Sequence, residues 1–157
     1  MYNLPHFNKS KLISFLDNVN SNKEIIKDLN CLEFSCAFIY HCCNEPILDS
    51  YEKVKQSNKV LDKMYNYFIS QLMYEDEITF EKIKSLANLT LIQQAKHKRA
   101  IPMHATTLII DENKDKYIIE KDGDSLVSLI ALEDWNTYKE DFPVYSAYGS
   151  RVYEMFF

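Results

Sequence analysis

The stretch IPMHATTLIIDENKDKYIIEKDGD, residues 101–124, decides how the rest of the chain reads. ATTLIID and KYIIEK are rich in β-branched residues, which favour extended backbone because branching at Cβ restricts χ1 and packs well on a pleated surface. Between them, ENKD supplies the polar residues of a tight turn, so the two runs predict an antiparallel hairpin. A hairpin brings its open ends together. His104, at the entrance to the first strand, becomes a neighbour of the residues from Glu120 to Asp122 at the exit of the second. A histidine and an acid side by side on one hairpin are two parts of a catalytic apparatus. The plainer reading is a strand-edge histidine satisfied by backbone, beside turn chemistry around Gly123.

Working outward, SLVSLIAL predicts a third strand, LEDWNTYKED a short helix and SRVYEMFF a closing strand. Ahead of Pro102 the pattern is helical. Leu12, Ile13, Phe15, Leu16 and Val19 recur at helical spacing, with Ser10 as a candidate cap. In NKEIIKDLNCLEFSCAFIYHCC, Ile25, Ile26, Leu29, Leu32, Cys36 and Ile39 recur at three and four, as one helix or as two broken near Asn30. ILDSYEKVKQSNKVLDKMYNYFISQLMY predicts a helix after Pro46 whose charged first half is a solvated face, and ITFEKIKSLANLTLIQQAKHKR predicts the last long helix. Helices over residues 1–100 followed by an antiparallel sheet over 101–157 make an α+β organisation. A chain of 157 residues fits one domain with one core.

Composition narrows the partners. The chain holds 18 Lys plus Arg against 23 Asp plus Glu, a formal net charge of −5, and its only basic cluster is Lys96-His97-Lys98-Arg99. Neutralising a phosphate backbone needs an excess of positive charge on one face, so nucleic acid is not expected as a partner. No apolar run approaches the roughly 18 residues needed to span a bilayer. MYNLPHFNKSK has neither the pattern of a secretory leader nor a lipidation signal, so a soluble protein is expected. Nothing in the pattern speaks to oligomeric state.

The four cysteines, Cys31, Cys36, Cys42 and Cys43, crowd into one segment. A disulfide scaffold spreads its cysteines to staple distant loops, so reduced thiols and a reducing compartment are expected. The separated ligand pairs of structural zinc are missing, and no metal or organic cofactor is expected. A catalytic thiol needs a histidine to share its proton and an acid or amide to orient that histidine. A helix N-terminus beside an imidazolium favours the thiolate. Cys31 meets that condition if a helix begins after Asn30. Cys36 meets it only if the helix begins five residues later. The plainer reading of both is a pair of buried thiols on a core helix.

HATTLIIDENKDKYIIEKD resembles the papain-like pattern in which "HA" opens a strand, a short turn follows, and a run of the type Y-I-I-x-K-[N/D] ends in the residue that orients the histidine. CLEFSCAFI, residues 31–39, is similar to the nucleophile helix of the YopT/AvrPphB-type effector cysteine proteases, with Cys31, Phe34, Ser35, Phe38 and Ile39 in the matching positions. The resemblance implies a papain-like domain over 1–157 with Cys31 as nucleophile, His104 as base and Asp122 as orienter; Glu120 competes with Asp122 for the last role. The backbone N–H of Cys31 would serve an oxyanion hole. A plainer papain register aligns FSCAF instead, making Cys36 the nucleophile and Asn30 the oxyanion donor. The glycine usual before the nucleophile is Asn30 here, and EKDGD replaces the family's Asp-Pro-Asn-Gly type ending.

On this resemblance the chain is expected to be a thiol hydrolase acting on a protein substrate, as a cysteine protease, glutamine deamidase or acyltransferase. It would be a bacterial effector, a virulence factor that is cytoplasmic or secreted into a host cell. The alternative is a non-enzymatic interaction protein, such as a toxin-neutralising immunity or antitoxin protein. KYIIEKDGDSLVSLIALEDWNTYKE also resembles the hairpin-helix segment of Phd/YefM-type antitoxins. Tyr145 and Tyr148, beside a Pro-Ser-Gly region, are candidates for a binding surface.

Overall fold

The computed structural model describes residues 8–27, 29–35, 38, 80–86, 88–95, 104–121, 126–135 and 144–148. The hairpin forms as its residues dictate. Strand β2, His104–Ile110, pairs antiparallel with β3, Lys116–Lys121, from Thr107↔Ile119 to Ile110↔Lys116. Asp111 closes the turn, its Oδ1 accepting from the backbone N–H of Asn113 and of Asp115 at 2.9 Å each. Lys114 reverses the chain with φ 65°.

Four helical segments are described: α1, Lys9–Ser21; α2, Lys23–Ile26; α3, residues 31–35, with Phe38 also helical; and α4, Phe80–Ile83. The cap of α1 is Asn8 rather than Ser10, since Asn8 Oδ1 accepts from Lys11 N–H at 2.8 Å while Ser10 lies inside the helix. The chain does break near Asn30, and α3 begins immediately after it. The helix expected over 47–74 lies outside the described residues.

One expectation is overturned. The last long helix stops early: α4 ends at Ile83, and Thr90–Ala95, in the middle of the expected helix, forms strand β1. Leu89, with φ 66°, turns the chain, and its N–H donates to Leu108 O at 2.9 Å beside the new ladder. Asn88 Oδ1 accepts from Ile110 N–H at 2.8 Å. The physical reason lies in the burial: Leu91, Ile92, Gln93 and Gln94 are all buried, whereas a helix would bury one stripe and expose the rest. The sheet therefore begins at Thr90, within the part read as helical.

Strand β4, Val127–Ala131, pairs with β3 from Tyr117↔Ala131 to Lys121↔Val127, and β5, Val144–Tyr148, pairs with β1. The result is a five-stranded sheet in the order β4-β3-β2-β1-β5, antiparallel at every junction. Mixed α+β architecture is thus the observed class. The segment read as a short helix contributes a 3-10 turn at Leu132–Asp134. The closing strand expected in SRVYEMFF lies outside the described residues, and Tyr145 and Tyr148, assigned to a surface, are strand residues of β5.

Alternation of side chains gives the sheet two faces. On one, Ile92, Leu108 and Ile118 pack with Ile83, Leu132 and Trp135. On the other, Leu91, Ile109, Ile119 and Val127 are also buried. At the edge strand β4, Asn20 of α1 replaces a neighbouring strand: its Nδ2 donates to Val127 O at 3.2 Å and its Oδ1 accepts from Val127 N–H at 3.1 Å. An edge covered this way no longer offers that peptide to another chain. Among the described residues, no helix is long and apolar enough to cross a membrane.

Candidate functional site

The site sits where β2 and β3 part. Their ladder ends at Thr107↔Ile119, while β1 stays paired with β2 as far as Gln94↔His104 and β4 with β3 as far as Lys121↔Val127. Beyond the last shared rung, alternation puts His104 and Glu120 on the face of Leu108 and Ile118. There His104 Nε2 and Glu120 Oε2 meet at 2.7 Å, with side chains 3% and 4% exposed. A buried carboxylate and imidazole this close form a charge-assisted hydrogen bond, shielded from water.

The third component comes from the helical half of the chain. Asn30 stands at the N-cap of α3: its Oδ1 accepts from Glu33 N–H at 2.8 Å, and Glu33 Oε1 accepts from Asn30 N–H at 3.4 Å. This reciprocal arrangement is a capping box, built on Asn in place of Ser or Thr. It fixes Cys31 as the first residue of α3, half-buried and carrying a free thiol. Ser35 Oγ donates to Cys31 O at 2.8 Å. Buried Phe34 and Phe38 anchor the same segment, Phe38 meeting Phe15 edge-on at 5.1 Å between ring centroids.

Cys31 is near enough to His104 to influence its ionisation, favouring the protonated ring. Glu120 occupies Nε2. The imidazole feels opposing influences. Burial, the largest single one, favours the neutral ring and pushes its pKa down; the hydrogen bonds with Cys31 and Glu120, with the charges of both, outweigh it and raise the pKa from 6.5 to about 9. The balance therefore favours the protonated ring beside Cys31 and Glu120.

The structure thus pairs His104 with Glu120 and sets Cys31 at the start of α3, near enough to influence the ring. Asp122 and Cys36 lie outside the described residues. Asn30, expected as an oxyanion donor in the Cys36 register, here uses its side-chain oxygen to cap α3. That role was open to sequence reading, because an Asn followed three residues later by Glu just before an apolar run marks a helix start. Gln94, fully buried and directly across from His104, was hidden by the helical reading of its segment. Among the described residues, no group of three His, Cys, Asp or Glu side chains is placed to hold a metal ion. Comparison of the chain with protein-family models, with curated proteins and with solved structures finds no match.

Proposed function

We propose that this chain is a papain-like thiol hydrolase that acts on a protein substrate through Cys31, His104 and Glu120. The observation that carries the reading is a buried imidazole held by Glu120 at 2.7 Å, with Cys31, at the first position of a capped helix, near enough to favour the protonated ring. Each component has a chemical task. Cys31 Sγ, its proton passed to His104, attacks the carbonyl carbon of a peptide or carboxamide; a C–S bond forms as the C=O π bond opens and its electron pair moves to oxygen. The backbone N–H of Cys31, unsatisfied by the helix because it lies in the first turn, donates to the developing oxyanion. As the C–N bond breaks, His104 delivers its proton to the leaving amine or ammonia. The neutral imidazole then takes a proton from water, whose oxygen displaces Sγ and releases the acid. An amine acceptor in place of water would give acyl transfer. Glu120 keeps the ring oriented and favours its protonated form throughout. A role inside a host cell as a bacterial effector fits the same reading.

The test is iodoacetamide labelling of the folded protein from pH 5 to 9, with the label located by peptide mass spectrometry. Cys31 is expected to react near pH 6 and to lose that reactivity in His104→Ala, with folding verified by Trp135 emission. A slow, ordinary thiol profile unchanged by the substitution would assign these residues to the scaffold and leave the non-enzymatic, toxin-neutralising role as the better account.

A further inference from the structure

Next to Glu120 stands a residue that the chemistry above does not use. Lys121 is 1% exposed, among the most buried large side chains of the described chain. A lysine in that setting is costly unless its ammonium is met by a partner, because the charge loses its hydration. One such partner is a backbone carbonyl: Lys121 Nζ donates to Leu29 O at 2.7 Å across 92 residues of sequence. Leu29 is itself buried and lies in the short link between α2 and α3, two residues ahead of Cys31.

We infer that Lys121 is a positioning residue for Cys31, locking the Leu29–Asn30 link to the strand that carries Glu120. The inference rests on the proposed thiol chemistry. Successive residues of a strand point to opposite faces, so Glu120 and Lys121 reach out on the two sides of β3. Glu120 holds the imidazole. Lys121 holds the backbone from which the thiol-bearing helix starts. One strand end therefore holds both the His104 ring and the start of the helix that carries Cys31. The mechanical link is short, since Asn30 caps α3 and ties Leu29 to the first helical turn with little slack. If Leu29 O shifts, the Cys31 sulfur and N–H shift with it. Misplacement of reacting groups by about 1 Å can cost about 100-fold in rate.

The experiment compares Cys31 labelling by iodoacetamide from pH 5 to 9 in the unsubstituted protein, His104→Ala, Lys121→Met and Lys121→Arg, with Trp135 emission and circular dichroism as checks on folding. Lys121→Met is expected to fold, to label at pH 6 about 10-fold more slowly or less, and to move its pH profile towards that of His104→Ala; this size corresponds to a part of the misplacement penalty. Lys121→Arg, which keeps a charged donor, is expected to recover most of the rate. If Lys121→Met does not fold, Lys121→Gln, a neutral donor of shorter reach, replaces it in the same comparison. A pH profile in Lys121→Met or Lys121→Gln identical to the unsubstituted one, with only thermal stability lowered, overturns the inference and leaves the proposed function standing. An ordinary thiol profile already present in the unsubstituted protein overturns both.

Discussion

A carboxylate, not an amide, stands behind His104, and it adds to the influence of Cys31 in favouring the protonated ring. An amide would orient the ring equally well; only an anion also favours the imidazolium. Glu120→Gln should therefore retain the 2.7 Å contact in outline yet lower the His104 pKa from about 9 towards 6.5. The shift should appear in NMR titration of the His104 ring protons and as an earlier alkaline limb in the rate of any substrate turned over. The same value makes a statement about stability. Because the folded-state pKa is raised, His104 contributes stability that is fully present below about 6.5 and is lost as pH rises through about 9. The ceiling is about 3 kcal/mol, from 1.36 kcal/mol per pKa unit. Urea unfolding at pH 6 and pH 9.5 should show that decline, and His104→Gln should remove it. How much of this was legible follows from strand geometry. A hairpin with a short turn brings His104 to the acids, and alternation excludes residue 121 as the acid's place on His104's face. Alternation leaves 120 and 122, which share a face. The observed contact to Glu120 depends on where β2 and β3 part, a property of the packed sheet and not of the hairpin's own residues.

Helix α3 and strand β1 show opposite relations between local signal and local structure. The start of α3 is written in its own residues, an Asn and a Glu three apart ahead of Phe34, each satisfying a backbone N–H. Asn30→Ala should cost about 1 kcal/mol by removing the cap, and Asn30→Asp should cost little. The same Asn30→Ala change should slow Cys31 labelling, since fraying of the first turn loosens the residue that carries the thiol; chemical unfolding and labelling rates measured side by side would show both effects. Strand β1 had no such signature. Leu91 and Ile92 followed by Gln93 and Gln94 fit a helix as well as a strand by residue type, and only neighbours on both sides make an extended run of four buried residues stable. The turn at Leu89 adds to the difficulty, because a buried leucine at φ 66° is an unusual residue for a left-handed position. Its burial among the strands, not its backbone preference, holds it there.

Across the whole molecule, both faces of one sheet are buried, and the fold's stability concentrates there. Ile118 on the interior strand β3 is fully buried in the cluster with Leu108, Ile130 and Trp135. Ile118→Ala should cost about 2–5 kcal/mol, the usual range for emptying such a site. Trp135, 1% exposed and the single tryptophan of the chain, supplies the readout: its emission should red-shift in one step with loss of the far-ultraviolet signal. The strands after Pro102 were readable because β-branched runs and turn residues dominate there, whereas β1 and its place inside the sheet were not, since strand order is decided by which edges remain to be paired. That order has a consequence for the protein while it is being made. The ladders β1–β2, β2–β3 and β3–β4 join neighbours in sequence, but β5 returns to the far side of β1, about fifty residues after it. On a ribosome adding roughly 5–20 residues per second, the outer edge of β1 waits several seconds for its partner. During that interval the nascent chain can already assemble the His104–Glu120 hairpin while still presenting an open, apolar strand edge. Among the described strands, the last one synthesised is the one that closes it.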